Sequence, residues 1–186
     1  MRLDLFDNSD FDRGASPLKE AFWILCKCLF FLNPFPWPSS LRTFWLRLFG
    51  AKIGSGLVIR SGVNITFPWR FEVGDHVWIG ENVCVLSMAR VRIGSHVCIS
   101  QRAFLCTGSH DPQKESFDLI TRPIEIDSSV WIAATSFIGP GVTVGQDSII
   151  AAGSVVMKPI PARSFVKGNP AQISARREMS LESTAA

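Results

Sequence analysis

The sequence has no tyrosine and only three histidines, so imidazole chemistry has few candidates. It also lacks a strong charge bias. The net charge is +3, the basic residues are scattered, and no basic stripe marks a nucleic-acid partner. A cysteine framework is missing as well, since five thiols cannot all pair. Cys26 and Cys28 stand closer than the two-residue spacing of a zinc pair. Cys84, Cys98 and Cys106 fall in strand-like segments and read as small apolar side chains. The odd count, with no signal-peptide pattern, points to a reducing cytoplasm. No apolar run is long enough to cross a bilayer as a helix, which takes about 20 residues. The run from Ala21 to Leu32 is interrupted by Lys27 and closed by Asn33-Pro34, and reads as a docking helix. Contact with a membrane surface is its second reading.

What the sequence does have is a six-residue period. Aliphatics recur at Ile53, Ile59 and Ile65, at Val73, Ile79 and Val85, and at Ile93, Ile99 and Leu105. They resume at Ile126, Ile132 and Ile138, then Val144, Ile150 and Val156. Four residues after most of these comes a small or branched residue such as Val63, Ala103, Ser136 or Ser154. Helices would show spacings of three and four, and fully buried sheets would show unbroken apolar runs.

A strict six describes an all-β repeat, a parallel β-helix shaped as a triangular prism. Each hexapeptide gives a strand and a corner, and three complete a coil of 18 residues. Inward aliphatics then stack at the β spacing of about 4.8 Å. Corners collect Gly, Asn and Asp, which tolerate unusual backbone angles. Two extra residues at Phe71-Glu72 and at Val91-Arg92 space those coils by 20 without losing register. The expected organisation is an N-terminal extension and helical cap over 1–49, the β-helix over 50–161, and a C-terminal segment and tail over 162–186. Residues Leu18 to Phe49 form one or two cap helices, because an open prism end would expose apolar side chains and strand edges.

The repeat breaks once. Between Leu105 and Ile124 the chain makes an excursion, Gly108 to Pro123, too long for a corner. Long loops inside compact repeats are usually functional. Its entry reads LCTGSHDPQ and places His110 where the chain leaves the prism.

Here the chain resembles the hexapeptide-repeat acyltransferases, and more narrowly the colanic acid biosynthesis acetyltransferases. The resemblance rests on Thr107-Gly108-Ser109-His110-Asp111, Arg122-Pro123-Ile124, Trp131-Ile132 and Pro140-Gly141-Val142. It continues in Ala152-Gly153-Ser154-Val155-Val156 with Lys158, in Gly168-Asn169-Pro170-Ala171, and upstream in LRLFGAKI and Pro68-Trp69. It implies a left-handed β-helix, a handedness that periodicity cannot give and that runs against the usual crossover preference. It implies an O-acetyltransferase in exopolysaccharide biosynthesis that moves acetyl from acetyl-coenzyme A to a sugar hydroxyl, with His110 as general base. An imidazole with a pKa near 6.5 is a neutral base at cytoplasmic pH. A backbone N–H near Ala134 is expected to stabilise the oxyanion, so Cys106 is not needed as a nucleophile. The small residues Ala134, Ala152 and Gly153 would admit the pantetheine arm, and Lys158 would approach the phosphates. The resemblance also implies a homotrimer with sites between subunits, and no metal.

One departure concerns the acceptor. Related galactoside and maltose acetyltransferases use an asparagine and an aspartate where register puts Gly80 and Met88 here. The nearest polar residues are Asn82 and Ser87, and Trp69 at a corner also faces the acceptor or an interface. A polysaccharide repeat unit or a lipid-linked oligosaccharide precursor is therefore the expected acceptor, met in the cytoplasm or at the inner membrane surface. Asp111 either orients His110 or shapes its turn. His76 and His96 occupy equivalent corners one coil apart and read as solvated side chains. Two other readings compete: a catalytically silent β-helix scaffold, and a zinc carbonic anhydrase-like enzyme, which would need paired histidines five apart that this sequence lacks.

Overall fold

Each inward aliphatic sits in a strand of two or three residues, and the chain turns through three faces before returning one coil along. The structure is a computed structural model that describes residues 1–177. On the first face Lys52–Ile53, Phe71–Val73, Val91–Ile93, Ile124–Ile126 and Thr143–Val144 pair in parallel. The second face stacks Val58–Ile59, Trp78–Ile79, Cys98–Ile99, Trp131–Ile132, Ile149–Ile150 and Ser164–Gly168. The third stacks Asn64–Ile65, Cys84–Leu86, Phe104–Cys106, Phe137–Ile138 and Val155–Val156. The second face thus runs past residue 161, and Ala171–Arg176 folds back on its last strand antiparallel. The tail beyond residue 177 lies outside the described residues.

Inside the prism the register puts like on like. Ile59, Ile79, Ile99, Ile132, Ile150 and Val166 form one buried column. Burying one such side chain contributes about 1.5–3 kcal/mol, and each finds its partner in the neighbouring coil. The extra residues lie one step earlier than the period suggested. Phe71, Val91 and Ile124 are paired in register and fully buried. The added length therefore falls in the preceding corners, which hold Phe67–Arg70 and Ser87–Arg90. Paired backbone cannot absorb an insertion without losing ladder bonds; an exposed corner can.

Pairs along the strands divide the outer surface by chemistry. On the first face Lys52 meets Glu72 at 3.0 Å and Arg90 meets Glu125 at 2.7 Å, a charged, solvated ladder. The other two faces present apolar side chains outward, including Trp78, Cys98 and Trp131 on the second and Phe104, Phe137 and Val155 on the third.

Two helices close the N-terminal end. Helix α1 spans Pro17–Phe30, with Ser16 as N-cap accepting from the Lys19 N–H and Pro17 at its first turn. Helix α2 spans Ser39–Leu48. Trp23, Phe31, Leu46 and Phe49 seal the first coil, and the Trp23 indole N–H donates to the Ile65 carbonyl at 3.0 Å. Arg42 is 2% exposed, and its guanidinium donates to the carbonyls of Phe30, Trp37, Ile59 and Phe35. One cation thus satisfies carbonyls that the open prism end would leave unpaired.

Candidate active site

The three prism edges carry different residues. Between the first and second faces the chain passes through His76 and His96, whose rings stack 5.3 Å apart, as their spacing predicted. Between the second and third faces lie Gly62, Asn82, Arg102, Thr135 and Gly153, all with left-handed φ between 58° and 75°. This edge also carries Ala134 and Ala152, so it is the small-residue edge. Between the third and first faces lie the widened corners with Trp69 and Ser87, then the excursion with His110, then Lys158. The expected site residues are therefore split between two edges of one chain.

The excursion is a β-hairpin, not a loose loop. Gly108–His110 pairs antiparallel with Leu119–Thr121, and the Arg122 N–H donates to the Thr107 carbonyl at 2.9 Å to close its root. His110 is half-buried on this hairpin. Its Nδ1 lies 2.8 Å from the Phe117 carbonyl oxygen. A carbonyl only accepts, so Nδ1 carries the proton and a neutral ring leaves Nε2 as a free base. The ring stacks on Phe117 at 4.0 Å, only 4° from parallel, and the Phe6 ring meets it edge-on at 5.5 Å. Asp111 shapes the turn, since its carboxylate accepts from the Gln113 N–H at 3.0 Å. Cys106 is buried, its thiol donates to the Gly108 carbonyl at 3.1 Å, and burial pushes its pKa up. A thiol held protonated is a poor nucleophile.

On the small-residue edge the Ala134 N–H has no hydrogen-bond partner among the described residues, while its carbonyl accepts from the Gly153 N–H at 3.0 Å. Gly153 has φ +70°, and a Cβ added there would meet nothing within 4 Å. The left-handed backbone favours glycine at this position, and open space leaves room for a ligand against it. Ala152 and Asn82 are exposed on the same edge, and Lys158 is exposed on the hairpin edge.

The remaining acceptor candidates prove to be structural clamps. Ser87 is fully buried, and its hydroxyl donates to the Phe67 carbonyl and accepts from the Phe67 N–H, at 3.0 and 2.8 Å. It braces a widened corner and has no atom left for an acceptor. Trp69 spends its indole N–H on the Arg13 carbonyl at 2.8 Å and stacks on Phe67, fastening the N-terminal segment to the prism. Gly80 cannot carry a side chain, because a Cβ would meet the Gln101 backbone nitrogen at 2.8 Å.

Three residues of the site were not singled out by the sequence. Thr107 is buried, and its hydroxyl donates to Leu86 and accepts from the Ala89 N–H, at 2.6 and 2.9 Å, fixing the point where the hairpin departs. Its place in the TGSHD run was the available signal. Phe117 and Phe6 carried none, for they reach His110 only through the hairpin turn and through the N-terminal segment, whose Arg2 N–H donates to the Glu115 carbonyl at 2.7 Å.

The sequence matches no protein-family model. It is 40% identical over 169 residues, 89% of this chain and 91% of the relative, to WcaF of Escherichia coli (strain K12), assigned as a colanic acid biosynthesis acetyltransferase. The hexapeptide-repeat acetyltransferase VCA0836 of Vibrio cholerae, solved in complex with acetyl-coenzyme A, superposes with a TM-score of 0.73 at 30% identity, covering 78% of this chain and 81% of that one. A galactoside acetyltransferase solved with coenzyme A shares the fold at 22% identity, with a TM-score of 0.77 over 91% of this chain and 86% of its own. The solenoid of about six turns with two N-terminal helices is thus the left-handed β-helix of these enzymes. With its repeat, its hairpin and the length of its match to WcaF, the chain belongs to the hexapeptide-repeat acetyltransferases.

Proposed function

We propose that this protein transfers an acetyl group from acetyl-coenzyme A to a sugar hydroxyl, as an O-acetyltransferase of exopolysaccharide biosynthesis, with His110 as general base. The observation that carries the reading is the Nδ1 to Phe117 carbonyl bond, which turns the unprotonated Nε2 into the base. In the step, Nε2 takes the proton of the acceptor hydroxyl as its oxygen bonds to the acetyl carbon. The carbon–sulfur bond breaks, and the leaving thiolate takes the proton back from His110. The unpartnered Ala134 N–H is suited to donate to negative charge growing on the carbonyl oxygen. Acetyl-coenzyme A supplies the acetyl group, and Ala152, Gly153 and Lys158 are the residues proposed to hold it.

The split of these residues between two edges supports a homotrimer in which the hairpin edge of one subunit faces the small-residue edge of the next. The apolar second and third faces give such neighbours something to bury. Of the acceptor candidates, Asn82 is exposed on the small-residue edge and remains in the proposal. Trp69 and Ser87 support the site only through the corners they brace. An acceptor on a polysaccharide repeat unit or its lipid-linked precursor, at the cytoplasmic membrane surface, fits the likeness to WcaF.

The test is thiol release from acetyl-coenzyme A with candidate glycans, comparing the wild type with His110→Ala. The variant is expected to lose about 10²- to 10⁴-fold in rate. Equal turnover in the two proteins would reject His110 as the base.

A further inference from the structure

Helix α1 carries apolar side chains on its outer face as well as on the face it buries. Trp23 and Cys26 face the prism and are buried. On the outside, every exposed residue from Ala21 to Leu32 is also apolar, with Phe22 57%, Leu25 56% and Leu29 51% exposed. Leu18, Phe22, Leu25 and Leu29 follow the helical spacing of three and four, so they form one stripe along about 17 Å of helix. Helix α2 adds Phe44 and Leu48 to the exposed set, and between the helices runs a groove of about 590 Å³ walled by Phe22, Leu25, Leu29, Trp45 and Leu48. An outward apolar surface of this extent on a closed prism calls for an occupant.

Charge selects the occupant. Helices α1 and α2 hold four basic side chains and a single acidic one, Glu20; Arg42 is buried, which leaves Lys19, Lys27 and Arg47 towards the outside. The Glu20 carboxylate is already taken by Arg13, at 2.7 Å from both Nε and Nη2. A second copy placed on the same face would set this positive end against itself. An anionic lipid surface would pair with it while taking the apolar stripe. No helix among the described residues is long and apolar enough to cross a membrane, so α1 would lie in the plane of the interface, as amphipathic anchors do.

We propose that the outer face of α1 and α2 docks this protein on an anionic lipid bilayer. The same face adjoins the edge that carries His110. Lys19, which lines the groove, holds its Nζ 5.0 Å above the Trp69 ring at the first widened corner. The hairpin leaves that edge two coils further along, about 10 Å at the β spacing. A docked subunit thus keeps its base within reach of a sugar carried on a lipid. This link to the acceptor rests on the acetyl-transfer reading; the docking does not.

The test is co-sedimentation of the full chain with phosphatidylcholine vesicles, with and without phosphatidylglycerol, together with sedimentation velocity in the absence of lipid. The wild type is expected to pellet with the anionic vesicles and to be released as salt rises. The triple variant Phe22→Ser, Leu25→Ser, Leu29→Ser, all at exposed positions, is expected to lose about tenfold or more in vesicle partitioning. It should keep its melting temperature and its turnover of a water-soluble acceptor. A wild type that stays in the supernatant with both vesicles overturns the docking, as does a triple variant that pellets equally. A variant whose oligomer dissociates while vesicle binding persists assigns the face to contact between copies and also overturns it. Absence of acetyl transfer in the wild type bears on the proposed function and leaves the vesicle result standing.

Discussion

His110 and Phe117 hold each other twice, once through the Nδ1 to carbonyl bond of 2.8 Å and once through rings stacked at 4.0 Å. Both contacts depend on the backbone of Phe117, whose φ of +53° turns its carbonyl and its ring towards the same imidazole. Such a conformation is unusual for a bulky residue and costs about 1–3 kcal/mol. The pairing across the hairpin, His110 with Leu119, sustains it.

Phe117→Gly would therefore separate stability from catalysis. Glycine adopts the left-handed backbone without strain, so the melting temperature should hold or rise slightly. Loss of the stack should free the imidazole and lower kcat about tenfold, a cost of about 1.4 kcal/mol, with KM unchanged. Phe117→Tyr should keep wild-type kcat. Steady-state kinetics beside a thermal melt checks this, and full kcat in Phe117→Gly would remove the positioning role.

Complementation between chains tests the division of the site between two edges. His110→Ala removes the proposed base on the hairpin edge, and Ala152→Trp fills the exposed small-residue edge. Each variant alone should be inactive. Co-expressed, they should regain activity, because mixed assemblies contain junctions where both contributing edges are intact. No recovery in verified mixed oligomers would mean that one chain supplies the whole site.

Arg42 is the residue whose loss should most weaken the cap. Arg42→Met leaves four carbonyls without their donor, and leaving buried acceptors unsatisfied costs about 1–3 kcal/mol apiece, on the order of 3–5 kcal/mol in all once water reaches some of them. The melting temperature should fall by about 6–20 °C. Arg42→Lys should recover little, since one ammonium cannot fork to carbonyls on several sides. Circular dichroism melts of the three proteins decide it, and an unchanged melt for Arg42→Met would show that water satisfies those groups.

Much of the architecture was legible because the repeat is local. A side chain that must point inward every six residues announces itself, and the stacked columns from Ile59 to Val166 follow that register. His110 was legible because an interruption in a strict period is conspicuous. The placement of the extra residues was not. The sequence shows only that two residues were added, whereas strand pairing across coils decides that Phe71 and Val91 belong to the sheet and the surplus to the corners. Ser87 looked like an available hydroxyl, and only its burial against Phe67 reveals a clamp.

Periodicity, composition and motif spacing thus determined on their own a three-sided solenoid, a helical cap, and one histidine at the break. These follow from which residues must be apolar and where the chain may turn, conditions that act over a few neighbours. Tertiary structure decided which edge each candidate residue occupies, and that α1 shows apolar side chains to the outside as well as to the core. Those depend on partners dozens of residues away, such as Arg13 for Trp69, Leu86 for Thr107 and Asn64 for Lys27. No local pattern records a contact that exists only after the coils have stacked.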